Sequence, residues 1–96
     1  MMRFEWDDGK ALGNVRKHGI TFELATLVFE DPELMIVRDR VVDGVQRWHA
    51  VGWVRGVAVL LVVHTVNEDE ETEIYRIISA RRATRREVCL YQSAHS

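Results

Sequence analysis

Apolar positions along the chain recur first at helical spacing and then at strand spacing, with the change at Pro32, the only proline. Phe4 to Trp6 reads as a short strand. Asp7 or Asp8 caps a helix running to about His18, which Gly19 stops in the left-handed conformation. In that helix Lys10, Asn14 and Lys17 form a polar face, while Leu12 and Val15 point toward a core. Thr21 caps a second helix whose Phe22, Ala25 and Phe29 make an apolar stripe, and Asp31-Pro32 ends it. Beyond Pro32 come candidate strands at Leu34 to Arg38, Gln46 to Val54, Val57 to Val66 and about Glu73 to Ser79. Asp43-Gly44 marks the turn after the first of them. Thr84 and Glu87 have capping-box spacing, so a short helix starts there and buries Val88, Leu90 and Tyr91. The pattern predicts an α+β fold: N-terminal helices packed on an antiparallel β-sheet meander, then a short C-terminal helix.

The two runs joined by Arg55-Gly56 predict a tight hairpin with a geometric consequence. With a two-residue turn, Arg47 lies opposite His64 and His49 opposite Val62. Directly opposed side chains share one sheet face about 5 Å apart. Arg47, His64 and His49 are therefore expected on a single surface. A one-residue slip would undo that grouping.

Ninety-six residues with 47% apolar composition suit one compact domain spanning 1–96. The longest apolar run, Val57 to Val63, is far shorter than the roughly 20 residues that cross a bilayer. No secretory signal pattern opens the chain, and the single cysteine, Cys89, forms no internal disulfide. These features point to a cytoplasmic protein. No Cys/His zinc pattern occurs, and neither a cofactor nor a metal is expected.

Net charge is −2, but it is segregated along the chain. Glu68, Asp69, Glu70, Glu71 and Glu73 form an acidic stretch whose removal would turn the balance to +3. That stretch reads as a solvated hairpin loop. Just beyond it lie Arg76, Arg81, Arg82, Arg85 and Arg86. For a polyanionic partner, local sign outweighs the total. The stretch from Arg76 to Thr84 feeds a strand into a helix N-terminus lined with guanidinium groups, which grip phosphate oxygens in pairs. Arg76 and Arg81 differ in parity, so a regular strand holding both would split them across its faces. A strand ending before Arg81 would let both serve one site. Lys17 and His18 occupy the last turn of the first helix, where the dipole favours positive charge.

Phe4-Glu5-Trp6-Asp7, Lys10-Ala11, Asn14 and Lys17-His18-Gly19-Ile20-Thr21-Phe22-Glu23 resemble the N-terminal signature of the BrnT toxins. Phe29-Glu30-Asp31-Pro32, Arg47, the Arg76 to Arg81 stretch, Ala83-Thr84, Glu87 and Tyr91 continue the resemblance in order over nearly the whole chain. The resemblance implies a RelE-like fold and a ribonuclease toxin of a type II toxin–antitoxin system. It implies a BrnA-type antitoxin partner, with operator DNA contacted only through the antitoxin complex. It also implies active-site roles for Lys17, His18, Arg47, Arg76 and Arg81. Two departures bear on substrate preference: His64 stands where many relatives carry tyrosine, and the acidic loop is enlarged.

The chemistry then expected is metal-independent RNA cleavage by the 2′-hydroxyl, arresting translation. Arg76 and Arg81 hold the phosphate, Lys17 and Arg47 add positive field, His18 is the leading general acid or base, and His64 is in reserve. An alternative is a catalytically weak module that mainly binds antitoxin and co-represses its operon. A DNA-binding regulator ranks last, because no helix-turn-helix spacing with basic recognition residues is evident.

Overall fold

The structure is a computed structural model that describes residues 1–69 and 71–94. Glu70 of the acidic stretch lies outside the described residues. In chain order the elements are β1 (Met2–Glu5), α1 (Asp8–His18), α2 (Phe22–Ala25) and a 3-10 turn (Thr26–Glu30). There follow β2 (Met35–Val42), β3 (Val45–Val54), β4 (Ala58–Asp69), β5 (Thr72–Arg82) and α3 (Arg85–Ser93).

Three helix starts are set by side chains that satisfy otherwise free backbone N–H groups. The Asp7 carboxylate accepts from the Lys10 N–H at 2.9 Å and the Thr21 hydroxyl from the Leu24 N–H at 3.1 Å. At α3, Thr84 and Glu87 form the full reciprocal capping box. The second predicted helix is shorter than its apolar stripe suggested, with one α turn continuing as a 3-10 turn.

Five strands form one sheet in the order β1-β5-β4-β3-β2. β2 through β5 make the antiparallel meander, but β1 joins β5 in parallel, so the sheet is mixed rather than wholly antiparallel. β1 covers only the first part of β5, pairing Glu5 with Arg76 at its end. Farther along that edge, α1 substitutes for a strand. The Asn14 side-chain amide donates to the Ala80 carbonyl at 2.8 Å and accepts from the Ala80 N–H at 3.0 Å, as a neighbouring peptide would. It donates also to the Ile20 carbonyl, fixing the turn after α1. Asn14 is therefore buried, at 6% exposure, whereas Leu12 and Val15 are 64% and 43% exposed. The expected orientation of α1 is reversed, because satisfying a strand edge outweighs burying two aliphatic side chains.

α1, α2 and the 3-10 turn cover one face of the sheet. Ile20, Phe22, Ala25 and Val28 pack there on Ala50, Val54, Leu60, Val62, Ile77 and Ala80. Gly52 permits the closest approach, since a Cβ there would lie 2.9 Å from both the Val28 Cβ and its carbonyl oxygen. On the opposite face a smaller cluster of Val51, Leu61 and Tyr91 sits under α3. The Tyr91 hydroxyl donates to Asp31, whose carboxylate also accepts the Trp53 N–H at 2.7 Å. Burial and the neighbouring Asp31 push the Tyr91 phenol up to about 12. No helix among the described residues is long and apolar enough to cross a membrane.

Candidate functional site

Two backbone irregularities decide which side chains meet. The first is the β3–β4 hairpin. Trp48 pairs with His64, His49 with Val63 and Val54 with Ala58, one residue away from the expected register. The turn encloses Arg55, Gly56 and Val57, closed by the Val57 N–H to the Val54 carbonyl at 3.0 Å. Gly56 alone among them takes positive φ, 78°. A two-residue type I′ turn demands positive φ at both central positions, which Arg55 resists as an L-residue with a Cβ. The β2–β3 turn shows the alternative: Asp43 and Gly44 adopt φ of 50° and 77°, and Val42 pairs directly with Val45.

The wider turn corrects the predicted grouping of Arg47 with His64. His64 faces the helix-covered side, is 1% exposed, and sits edge-on to Phe29 and stacked on Tyr75, with centroids 5.1 and 5.6 Å away. Burial depresses its pKa below the ordinary histidine value, partly offset by the Val62 carbonyl facing its ring. A neutral imidazole enclosed by rings and strands cannot touch a polymeric substrate. His64 therefore belongs to the core and does not occupy the reserve catalytic position expected for it.

The second irregularity is a bulge in β5. Leu61 pairs with Arg81 and Val63 with Ser79, but His64 pairs with Ile77, leaving Ile78 as the extra residue. The additional residue resets the alternation of sides. Arg76, opposite Thr65, then lies on the same face as Arg81, opposite Leu61. The strand continues to Arg82 rather than stopping before Arg81, so the two arginines share a side because of the bulge.

That face is the one α3 covers only at one end. Continuing the β3–β4 register by one residue sets Arg47 opposite Thr65, so Arg47, Thr65, Arg76 and Glu5 form one row across the sheet. His49, Val63 and Ser79 form the next, and Val51, Leu61 and Arg81 the third. Their β4 partners, Thr65 and Leu61, are four residues apart, so at about 3.3 Å per residue Arg76 and Arg81 are separated by about 13 Å along the sheet. Arg47 is two strand spacings, about 10 Å, from Arg76. Such an array suits a length of polyanion better than a single small anion.

Arg76 and Arg81 both hold carboxylates. Arg76 Nη1 donates to Glu5 Oε2 at 2.8 Å. Arg81 grips Glu87 with two parallel bonds of 2.7 and 3.0 Å, the fork geometry with which guanidinium also holds phosphate. The Arg81 guanidinium pulls Glu87 down to about 2, with the Thr84 backbone contributing, and Arg81 is raised in turn. Lys17 and His18 stand on a helix rather than on these strand rows. They close α1, which runs along the β5 edge from the Glu5–Arg76 pairing to the Asn14–Ala80 bonds. Their turn therefore lies toward the Arg82 end of the strand, with Lys17 exposed and His18 half-buried.

Two residues on the arginine face had no place among the expected site groups: His49, whose Nε2 lies 3.1 Å from Asp39 Oδ2, and Ser79 between the rows of Arg76 and Arg81. The parity of His49 with Arg47 was readable beforehand. That His64 departs from them was not. Among the described residues no group of three or more His, Cys, Asp or Glu is placed to hold a metal ion.

Residues 6–87 match the family described as "Ribonuclease toxin, BrnT, of type II toxin-antitoxin system". Among solved structures, the chain is similar to the 1.1 Å crystal structure of the ribonuclease toxin BrnT from Brucella abortus, with 28% identity and a TM-score of 0.65. That likeness covers 88% of this chain and all of the other. No curated protein sequence matches.

Proposed function

Because the chain belongs to the BrnT family of ribonuclease toxins from type II toxin–antitoxin systems, we propose that its arginine face binds and cleaves RNA without a metal ion. The observation that carries this reading is the Ile78 bulge, which sets Arg76 and Arg81 on the side of the sheet that also bears Arg47. RNA supplies its own nucleophile, the 2′-hydroxyl, so the protein has only to hold the phosphate, stabilise charge on the five-coordinate phosphorus and move protons. Arg81 and Arg76 bind phosphate oxygens, exchanging the Glu87 and Glu5 carboxylates for RNA. Arg47 adds positive field from β3. Lys17 and His18 extend the basic surface along the β5 edge, where they contact the flanking RNA. The product is a cyclic 2′,3′-phosphate, and cleavage arrests translation.

The architecture is read as RelE-like, with residues 1–96 acting as one toxin domain in the cytoplasm. A BrnA-type antitoxin neutralises it by laying an acidic or helical segment over the basic face, and operator DNA is contacted only through that complex. Charge complementarity predicts that the association weakens as salt rises.

The test is cleavage of naked single-stranded RNA by purified, antitoxin-free protein, with and without excess chelator. Wild type should cut equally in both. Arg81→Ala should lose about 100-fold or more in rate, the usual cost of removing a preorganised oxyanion donor. Cleavage abolished by chelator would overturn metal independence, and a fully active Arg81→Ala would overturn the site.

A further inference from the structure

Cleavage through the 2′-hydroxyl requires a proton acceptor beside the phosphate, and the arginines cannot serve, since guanidinium stays protonated. Three histidines lie among the described residues. His64 is enclosed in the helix-side core and His18 sits at the end of α1 along the sheet edge. His49 is on the arginine face itself. It stands two residues from Arg47 on the same side of β3, about 7 Å away, in the row between those of Arg76 and Arg81.

The chain builds a holder for this ring. β2 carries one extra residue between Arg38 and Val41 relative to β3. At that irregularity Asp39 reaches across to His49, with Oδ2 3.1 Å from Nε2. Burial pushes the Asp39 carboxyl up, but the Arg40 backbone N–H and His49 more than offset it, leaving Asp39 below the usual carboxylate range. The ionised carboxylate accepts the Nε2 hydrogen, which leaves Nδ1 as the ring nitrogen able to accept a proton. The two side chains are 28% and 27% exposed, open enough for substrate contact and confined enough to hold one orientation.

We infer that His49, oriented by Asp39, is the general base of this face; the inference rests on the ribonuclease reading above. Nδ1 takes the proton from the 2′-hydroxyl as the O2′–P bond forms and the P–O5′ bond breaks. The departing O5′ takes a proton from water, and the imidazolium gives its proton to the hydroxide so formed. Nothing is oxidised or reduced, and the only products are the cyclic phosphate and a free 5′-hydroxyl. His49 is a catalytic residue in this scheme and Asp39 a positioning residue.

The test compares full-length wild type, His49→Ala, His49→Gln, Asp39→Asn and Arg81→Ala on one single-stranded RNA oligonucleotide, with circular dichroism to establish folding. His49→Ala should slow cleavage by about 100-fold or more, the scale of general base catalysis, with RNA binding retained. Free imidazole should restore part of that rate, which a purely structural role would not allow. Asp39→Asn should show a smaller loss and no imidazole rescue, because its ring is present but loosely held. If His49→Ala fails to fold, His49→Gln, whose amide can still bond Asp39, is read instead. A His49 variant within about twofold of wild type, while Arg81→Ala is inactive, overturns His49 and leaves the arginine site standing. A wild type that neither binds nor cuts RNA overturns the ribonuclease reading and His49 with it.

Discussion

On the helix-covered side of the sheet, His64 is enclosed by Phe29 and Tyr75, and Phe22, Leu60 and Ile77 are shut away from water. On the other side of the same strands, Arg47 and His49 are half-buried, Arg76 is exposed, and Arg81 reaches α3 through Glu87. Neighbouring residues alternate between these environments, as Trp48 and His49 do. The difference lies in what covers each face. Three helical segments shield one side, while α3 caps only the end near Val51, Leu61 and Tyr91. One side holds the fold together, and the other is left free to present charge.

The comparison predicts that stability and activity separate by face. Phe22→Ala should produce the largest effect, a loss of about 3–5 kcal/mol from an emptied core position. For a domain this small, that can remove most of the folding free energy. Urea unfolding would measure it. A loss below about 1 kcal/mol would mean the helix side is not the principal core. Arg81→Ala, by contrast, should cost far more in cleavage than in stability.

Asn14→Leu comes next. It leaves the Ala80 N–H and carbonyl without their partner at the β5 edge, a cost of about 2–3 kcal/mol. Hydrogen exchange should quicken at Ala80 before the central strands respond. Protection unchanged at Ala80 would show that the edge is closed by something other than α1.

Glu87→Gln is the smallest change and tests the boundary between the faces. Its carboxyl sits at about 2 in the folded state against an ordinary value of 4.5. The stabilisation is present above the ordinary value and fades as pH falls through about 2. Partial exposure of both partners screens the pair, so the loss near neutral pH should be about 1 kcal/mol. Wild type and variant should converge in urea midpoints as the solution is acidified. A constant gap at all pH values would assign the effect to packing instead of charge.

Local chemistry along the chain sets the order of elements and the caps. Thr21 and Thr84-Glu87 announce helix starts through hydrogen bonds made within one turn, and Asp43-Gly44 announces a turn through local torsion preferences. The sequence also contained the residues of the basic face, because guanidinium chemistry is visible in composition. It did not contain their grouping. Whether His64 joins Arg47 and His49 depended on one extra turn residue at Val57, and whether Arg76 joins Arg81 depended on one extra strand residue at Ile78. A single-residue change in pairing reverses every later side chain, so such choices are set by the neighbouring strand. Asn14 makes the same point for helices. Its polarity suggested water, yet an unpaired strand edge sixty-six positions away drew it inside. Short-range energies wrote the elements, and the need to satisfy backbone groups between distant segments decided which side chains stand together.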